Sequence, residues 1–266
     1  MKPIHFVWLP TFLAVALATV TVNGANDQEK RFTLPDAAFD AIVKEMNANI
    51  REELTAQGDP WDMRLRSSAL MIALATQHRM FHKQGDARQL ATMRDAAVRM
   101  ARAIDFDTGK RNMDVVRKQA EILDAYPQVK ENPEALMEIL KLKGIFEQED
   151  IDFHFARKRK QIGIERELFA ITRATKPPPM DTASEKIALT GYKVALLAEM
   201  LREFDDRVRP QKVNQRKEWV AHATDAQYVG WQLAEAANAK DGVSVKSIAT
   251  RMLNACSECH AKFRCD

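Results

Sequence analysis

The sequence predicts an all-α protein, built as an antiparallel four-helix bundle at residues 130–266 and preceded by a second helical bundle at 33–128. Three observations carry this. Helix-favouring Ala, Leu, Met, Glu, Lys, Arg and Gln dominate, with nine glycines and ten prolines in 266 residues. Beyond the N-terminus, the runs of Val, Ile, Thr and Tyr that would favour strands are hard to find. Apolar residues recur instead at spacings of three and four, the period of one helix face.

The chain begins differently. Lys2 precedes the uncharged run "FVWLPTFLAVALATV", and small residues follow at Val22, Gly24 and Ala25, so residues 1–25 are expected to be a secretory signal peptide. A membrane anchor is the competing reading, but the run is short for a span of about 20 apolar residues and contains Pro10. The mature chain is therefore expected to be exported, as in a periplasm, and to have no membrane span.

Four amphipathic segments follow. The first, "DAAFDAIVKEMNANIREELTAQ", aligns Phe39, Ile42, Val43, Met46 and Ile50, and is broken by Gly58 and Pro60. In "WDMRLRSSALMIALATQHRMFH" the residues Met63, Leu65, Leu70, Ile72, Leu74 and Met80 make a broad apolar surface ended by "KQGD". "ARQLATMRDAAVRMARAI" carries Leu90, Met93, Ala97, Met100 and Ile104, and "MDVVRKQAEILDAY" stops at Pro127. An antiparallel bundle buries four such stripes with short connections. After Pro133 the plan repeats: "EALMEILKL", the charged "FEQEDIDFHFARKRKQ", "ERELFAITRAT", the rigid break "KPPP", and three long helical segments, the last beginning after Asp241-Gly242. The repetition is one of topology, so a single longer bundle stays open.

All three cysteines fall in "NACSECHAKFRCD", the last thirteen residues. Cys256, Cys259 and His260 have the C-x-x-C-H form used to attach c-type haem. On a helix these residues stand at i, i+3 and i+4, so two thiols and one imidazole share a face. Three other readings compete: a redox-active cysteine pair, which wants a helix N-terminus; a zinc site drawing on Cys256, Cys259, Cys265 and a histidine; and a plain disulfide.

With Phe263 and Arg264 after the motif, "CSECHAKFR" resembles the cytochrome c′ family, which ends in C-x-x-C-H followed by an aromatic and a basic residue. Trp219 and "AANAKDG" are similar to features before that family's haem helix. The resemblance covers about residues 130–266 and implies one covalent haem c per chain, held by Cys256 and Cys259, with His260 on the iron and Arg264 near the haem edge. It also implies a second axial ligand on the bundle's first helix, where Met137 in "ALMEILKLKG" takes that place, although Glu138 replaces the usual Lys and the charged insert after Phe146 departs from the family. Tyr192 and Met200 are further pocket-lining candidates. The first half has neither cysteine nor motif, so a docking or structural role is expected for it.

The remaining features are weaker. His78 and His82 form an i, i+4 pair with no third ligand in view and read as solvated surface; His154 and His222 stand alone. The "ARKRK" run at 156–160 would at most steer an acidic partner. Cys265 is open to being a free thiol, a disulfide between two copies, or neither. A net charge of +3 gives no reason to expect nucleic acid. The expected function is one-electron transfer by an exported mono-haem cytochrome, not an enzyme, with an unidentified redox protein as partner and a homodimer as a further assembly. The alternatives are a five-coordinate haem protein that binds NO or CO, and a non-haem helical interaction protein.

Overall fold

The structure, a computed structural model, describes residues 32–56, 62–104, 110–135, 164–203 and 213–263. The expected signal peptide, Met137, His154, the basic run at 156–160, Arg264 and Cys265 lie outside them. Among the described residues there are eight helices and no strand: α1 (Asp36–Thr55), α2 (Asp62–Phe81), α3 (Ala87–Arg102), α4 (Met113–Asp124), α5 (Ile164–Arg173), α6 (Met180–Glu203), α7 (Val213–Asn238) and α8 (Gly242–Phe263). The all-α class is as expected.

Helix ends follow local chemistry. Asp86 opens α3 by accepting the amides of Arg88 and Gln89 at 2.9 and 2.8 Å, and Asn112 opens α4 by accepting that of Val115. α2 and α7 close in the same way. Lys83 and Lys240 take left-handed φ values of 55° and 56°. The next amide then reaches back to the carbonyl five residues earlier, Gln84 to Arg79 and Asp241 to Ala236.

The apolar stripes face inward: Phe39, Ile42, Val43, Met46 and Ile50 of α1, and Leu90, Met93, Ala97 and Met100 of α3, are all buried. α1 packs on α2, α2 on α3, α3 on α4, and α4 returns to α1; α5 to α8 pack around in the same cyclic order. Contacts of α1 and α2 with α6 join the halves, and the chain from Phe32 onward is one compact unit. The stretch from Pro127 to Ala135 lies along α3, with the Gln89 amide donating to the Pro127 carbonyl and the Asn132 N–H to Thr92 Oγ1.

Two helices are buried nearly all round, as helices flanked on several sides must be. In α2, every residue from Ser67 to Met80 is buried; in α6, all from Thr190 to Leu196 are. α6 and α7 meet through Gly191 and Gly230, each followed four residues later by alanine, Ala195 and Ala234. A Cβ on Gly191 would lie 2.6 Å from the Gly230 carbonyl oxygen and 2.7 Å from the Ala234 nitrogen, both backbone atoms that cannot turn aside. Gly191→Ala is therefore expected to lose about 1–3 kcal/mol of stability, outweighing the roughly 1 kcal/mol that alanine gains in an exposed helix. Denaturant unfolding checks the sign; stabilisation would mean the helices are not in contact here.

Candidate functional site

α8 runs without a break from Gly242 to Phe263, so Cys256, Cys259 and His260 do stand at i, i+3 and i+4 on one helix. Its start is held in three ways. Asp241 caps it, accepting the Ser244 amide at 3.0 Å and the Ser244 hydroxyl at 2.6 Å. Gly242 fits against the proline break, where a Cβ would lie 3.2 Å from Pro177 Cβ and 3.2 Å from Met180 Cγ. Lys246 donates to the Ala174 carbonyl at the end of α5.

The last turns are held by α7. Phe263 sits edge-on to Trp219 with centroids 5.3 Å apart and to His222 at 5.8 Å, and Lys262 pairs with Glu218 at 2.8 Å. Trp219 in turn donates its indole N–H to the Leu201 carbonyl at 2.7 Å, using one of the carbonyls left open at the end of α6. Within this frame Cys256 and Cys259 are half-buried, Cys256 against the core, and His260 is exposed. No disulfide joins the two cysteines.

Burial pushes the Cys259 thiol above its ordinary pKa. A position in the last turns of α8, at the negative end of the helix dipole, disfavours a thiolate in the same sense. A redox-active thiol needs the opposite. The last turns of α8 thus bring two half-buried thiols and an exposed imidazole together on one helix. Met137 and Arg264 lie outside the described residues. Tyr192 is buried, but it stacks on Phe32 and accepts from Asn238 at 3.0 Å. Asn238 and Trp219 are at opposite ends of α7, about 28 Å apart at helical rise, so Tyr192 is remote from the motif. Met200, also buried, is beside Leu201 at the motif's end of α6.

One expectation is overturned. His78 is not solvated surface: its side chain is fully buried, and its Nδ1 lies 2.7 Å from Glu199 Oε2 on α6. The reason is that α2 is covered by α6 as well as by its own neighbours. His82, Glu199 and His78 hold potential ligand atoms within 4.8 Å of one another. Glu199 is the third donor group missing from the sequence reading, and 121 positions separate it from His78.

Comparison with family models, with characterised proteins and with solved structures gives no match. The chemistry of the site thus rests on the residues themselves.

Two outcomes follow. The Ser244 hydrogen bonds hold the Asp241 carboxyl below its ordinary 3.8. Its stabilising charge is complete above that value and lost as pH falls through the lowered one. Asp241→Ala should lower Tm at neutral pH, and the gap from the parent should close as pH falls below 3.8. For Cys259, iodoacetamide at pH 7.5 should alkylate the folded chain more slowly than the urea-unfolded chain, read by peptide mass spectrometry; equal rates would contradict the burial of this thiol.

Proposed function

We propose that the chain is an exported mono-haem c-type cytochrome that passes single electrons to and from a redox protein. The observation that carries this is the pair of half-buried thiols followed by an exposed imidazole on one face of an unbroken terminal helix. The cyclic packing of α5 to α8 supports a four-helix bundle in the second half, and that of α1 to α4 a second bundle without a C-x-x-C-H motif; α5, first of the four, has no methionine, so Met137 as a ligand would come from the chain that precedes it.

In this reading Cys256 and Cys259 would hold the haem covalently as thioethers, each thiol adding whole to a vinyl group so that no other reactant is consumed. His260 would supply a neutral imidazole nitrogen to the iron and Met137 a thioether. The bound haem supplies a one-electron ferric–ferrous couple whose potential is set by these ligands and their surroundings. Arg264, four residues after His260 in the sequence, would by the family resemblance bring a fixed positive charge near the haem that disfavours the ferric state. Passing single electrons in this way requires no catalytic acid or base, and the reading assigns the protein no enzyme activity.

The test is expression of the full chain with c-type maturation machinery, followed by acid–acetone extraction. One haem should remain per chain, and Cys256→Ala with Cys259→Ala should retain none. In the unsubstituted protein a low-spin spectrum with slow or absent carbon monoxide binding is expected. Met137→Ala should turn it high-spin and open it to carbon monoxide. A protein that is high-spin before substitution would favour NO or CO binding as its function. Absence of covalent haem would leave a helical interaction protein.

A further inference from the structure

We propose that His78, His82 and Glu199 form a binding site for one divalent cation of the zinc class, at the junction of α2 and α6. The donors are two imidazoles one turn apart, His78 on α2 and His82 just past its end, and a carboxylate from α6, their ligand atoms within 4.8 Å of one another. Two imidazoles exclude hard, oxygen-seeking magnesium and calcium, while two nitrogens and one carboxylate are a common zinc set that leaves a fourth position for water. The rings are already assembled. Their centroids are 4.4 Å apart, Phe32 covers His78 at 4.9 Å, and Phe81 meets His82 edge-on at 5.1 Å. His82 and Glu199 are partly exposed, which gives an ion a way in, while His78 closes the inner side.

The hydrogen bonds of His78 define what binding displaces. Its Nε2 accepts the Leu34 backbone N–H at 3.1 Å, so the ring proton is on Nδ1 and points at Glu199 Oε2, 2.7 Å away. A cation between Nδ1 and Glu199 takes that proton's place. The neutral ring then carries its proton on Nε2, which turns from acceptor to donor and faces the Leu34 N–H, another donor. The proton count is unchanged, and the Leu34 bond is lost. Cation binding is thus coupled to release of the Leu34 backbone, where the chain enters α1.

Zinc titration of the full-length chain tests this, with Cys256, Cys259 and Cys265 changed to Ser so that C-terminal thiols hold none of the metal. One zinc should bind per chain, displaced by a chromophoric chelator, and cobalt should give the intense visible bands of a four-coordinate site. His82→Ala and Glu199→Gln, with unfolding temperatures measured to show that both variants fold, should each weaken binding roughly tenfold or more. Zinc should also speed hydrogen exchange at the Leu34 amide in the parent and not in His82→Ala. Unchanged zinc affinity in both variants, no binding below millimolar zinc, or a Leu34 amide indifferent to bound zinc would each overturn the proposal. None of these outcomes bears on haem attachment, which the Ser background lacks.

Discussion

Where α6 and α7 cross, two glycines face each other, and a Cβ on either would sit less than 3 Å from the backbone of the opposite helix. With the backbones touching, the spacing and register of the two longest helices are fixed together, because ridges this shallow fit in few ways. The start of α7 then falls at the end of α6, where the Trp219 indole finds the Leu201 carbonyl. The left-handed Lys240 turns the chain back, and Asp241 starts α8 within one residue of it. α8 returns along α7, with Arg251 reaching Asp225 and Lys262 reaching Glu218. The C-x-x-C-H turn therefore arrives beside Trp219 and His222 as a consequence of the glycine crossing and one tight turn.

Much of this was legible in the sequence where a local rule decides it. The apolar stripes of α1 and α3 were read from spacing alone, because a single buried face leaves a clean 3.6-residue period. The helix through Cys256, Cys259 and His260 was legible for the same reason, since nothing in "SVKSIATRMLNACSECHAKF" breaks a helix. α2 is different. It is buried on most sides, so its period is blurred and its polar residues, Ser67, Ser68, Thr76, Gln77, His78 and Arg79, look as if they must face water.

Thr76 bonds back to the Ile72 and Ala73 carbonyls of its own helix, but other buried polar groups find partners on other elements. Arg94, only 1% exposed, is held by Gln77 and Asp95; Arg79 pairs with Asp36 at 2.6 Å and lies over the Phe39 ring; His78 takes Leu34 and Glu199. A buried polar group left without a partner costs about 1–3 kcal/mol, so His78 and Arg79 in the interior presuppose the segments that answer them. No periodicity encodes that answer. An i, i+4 histidine pair read in isolation becomes a three-donor cluster only when α6 is laid against α2.

α6 thus faces two ways. Gly191 and Ala195 give it a bare strip on which α7 rests, and Tyr192, Lys193 and Glu199 give it a polar and aromatic strip that meets Phe32, Glu45 and His78. An apolar seam there would bind the halves as tightly but would tolerate sliding by a turn. The Lys193–Glu45 pair at 2.6 Å and the His78–Glu199 bond at 2.7 Å have geometry to lose, so they fix the register in which α1 and α2 sit on α6. Because α6 also sets α7, and α7 the last turns of α8, the first half lacks a C-x-x-C-H turn of its own yet bears on where that turn stands.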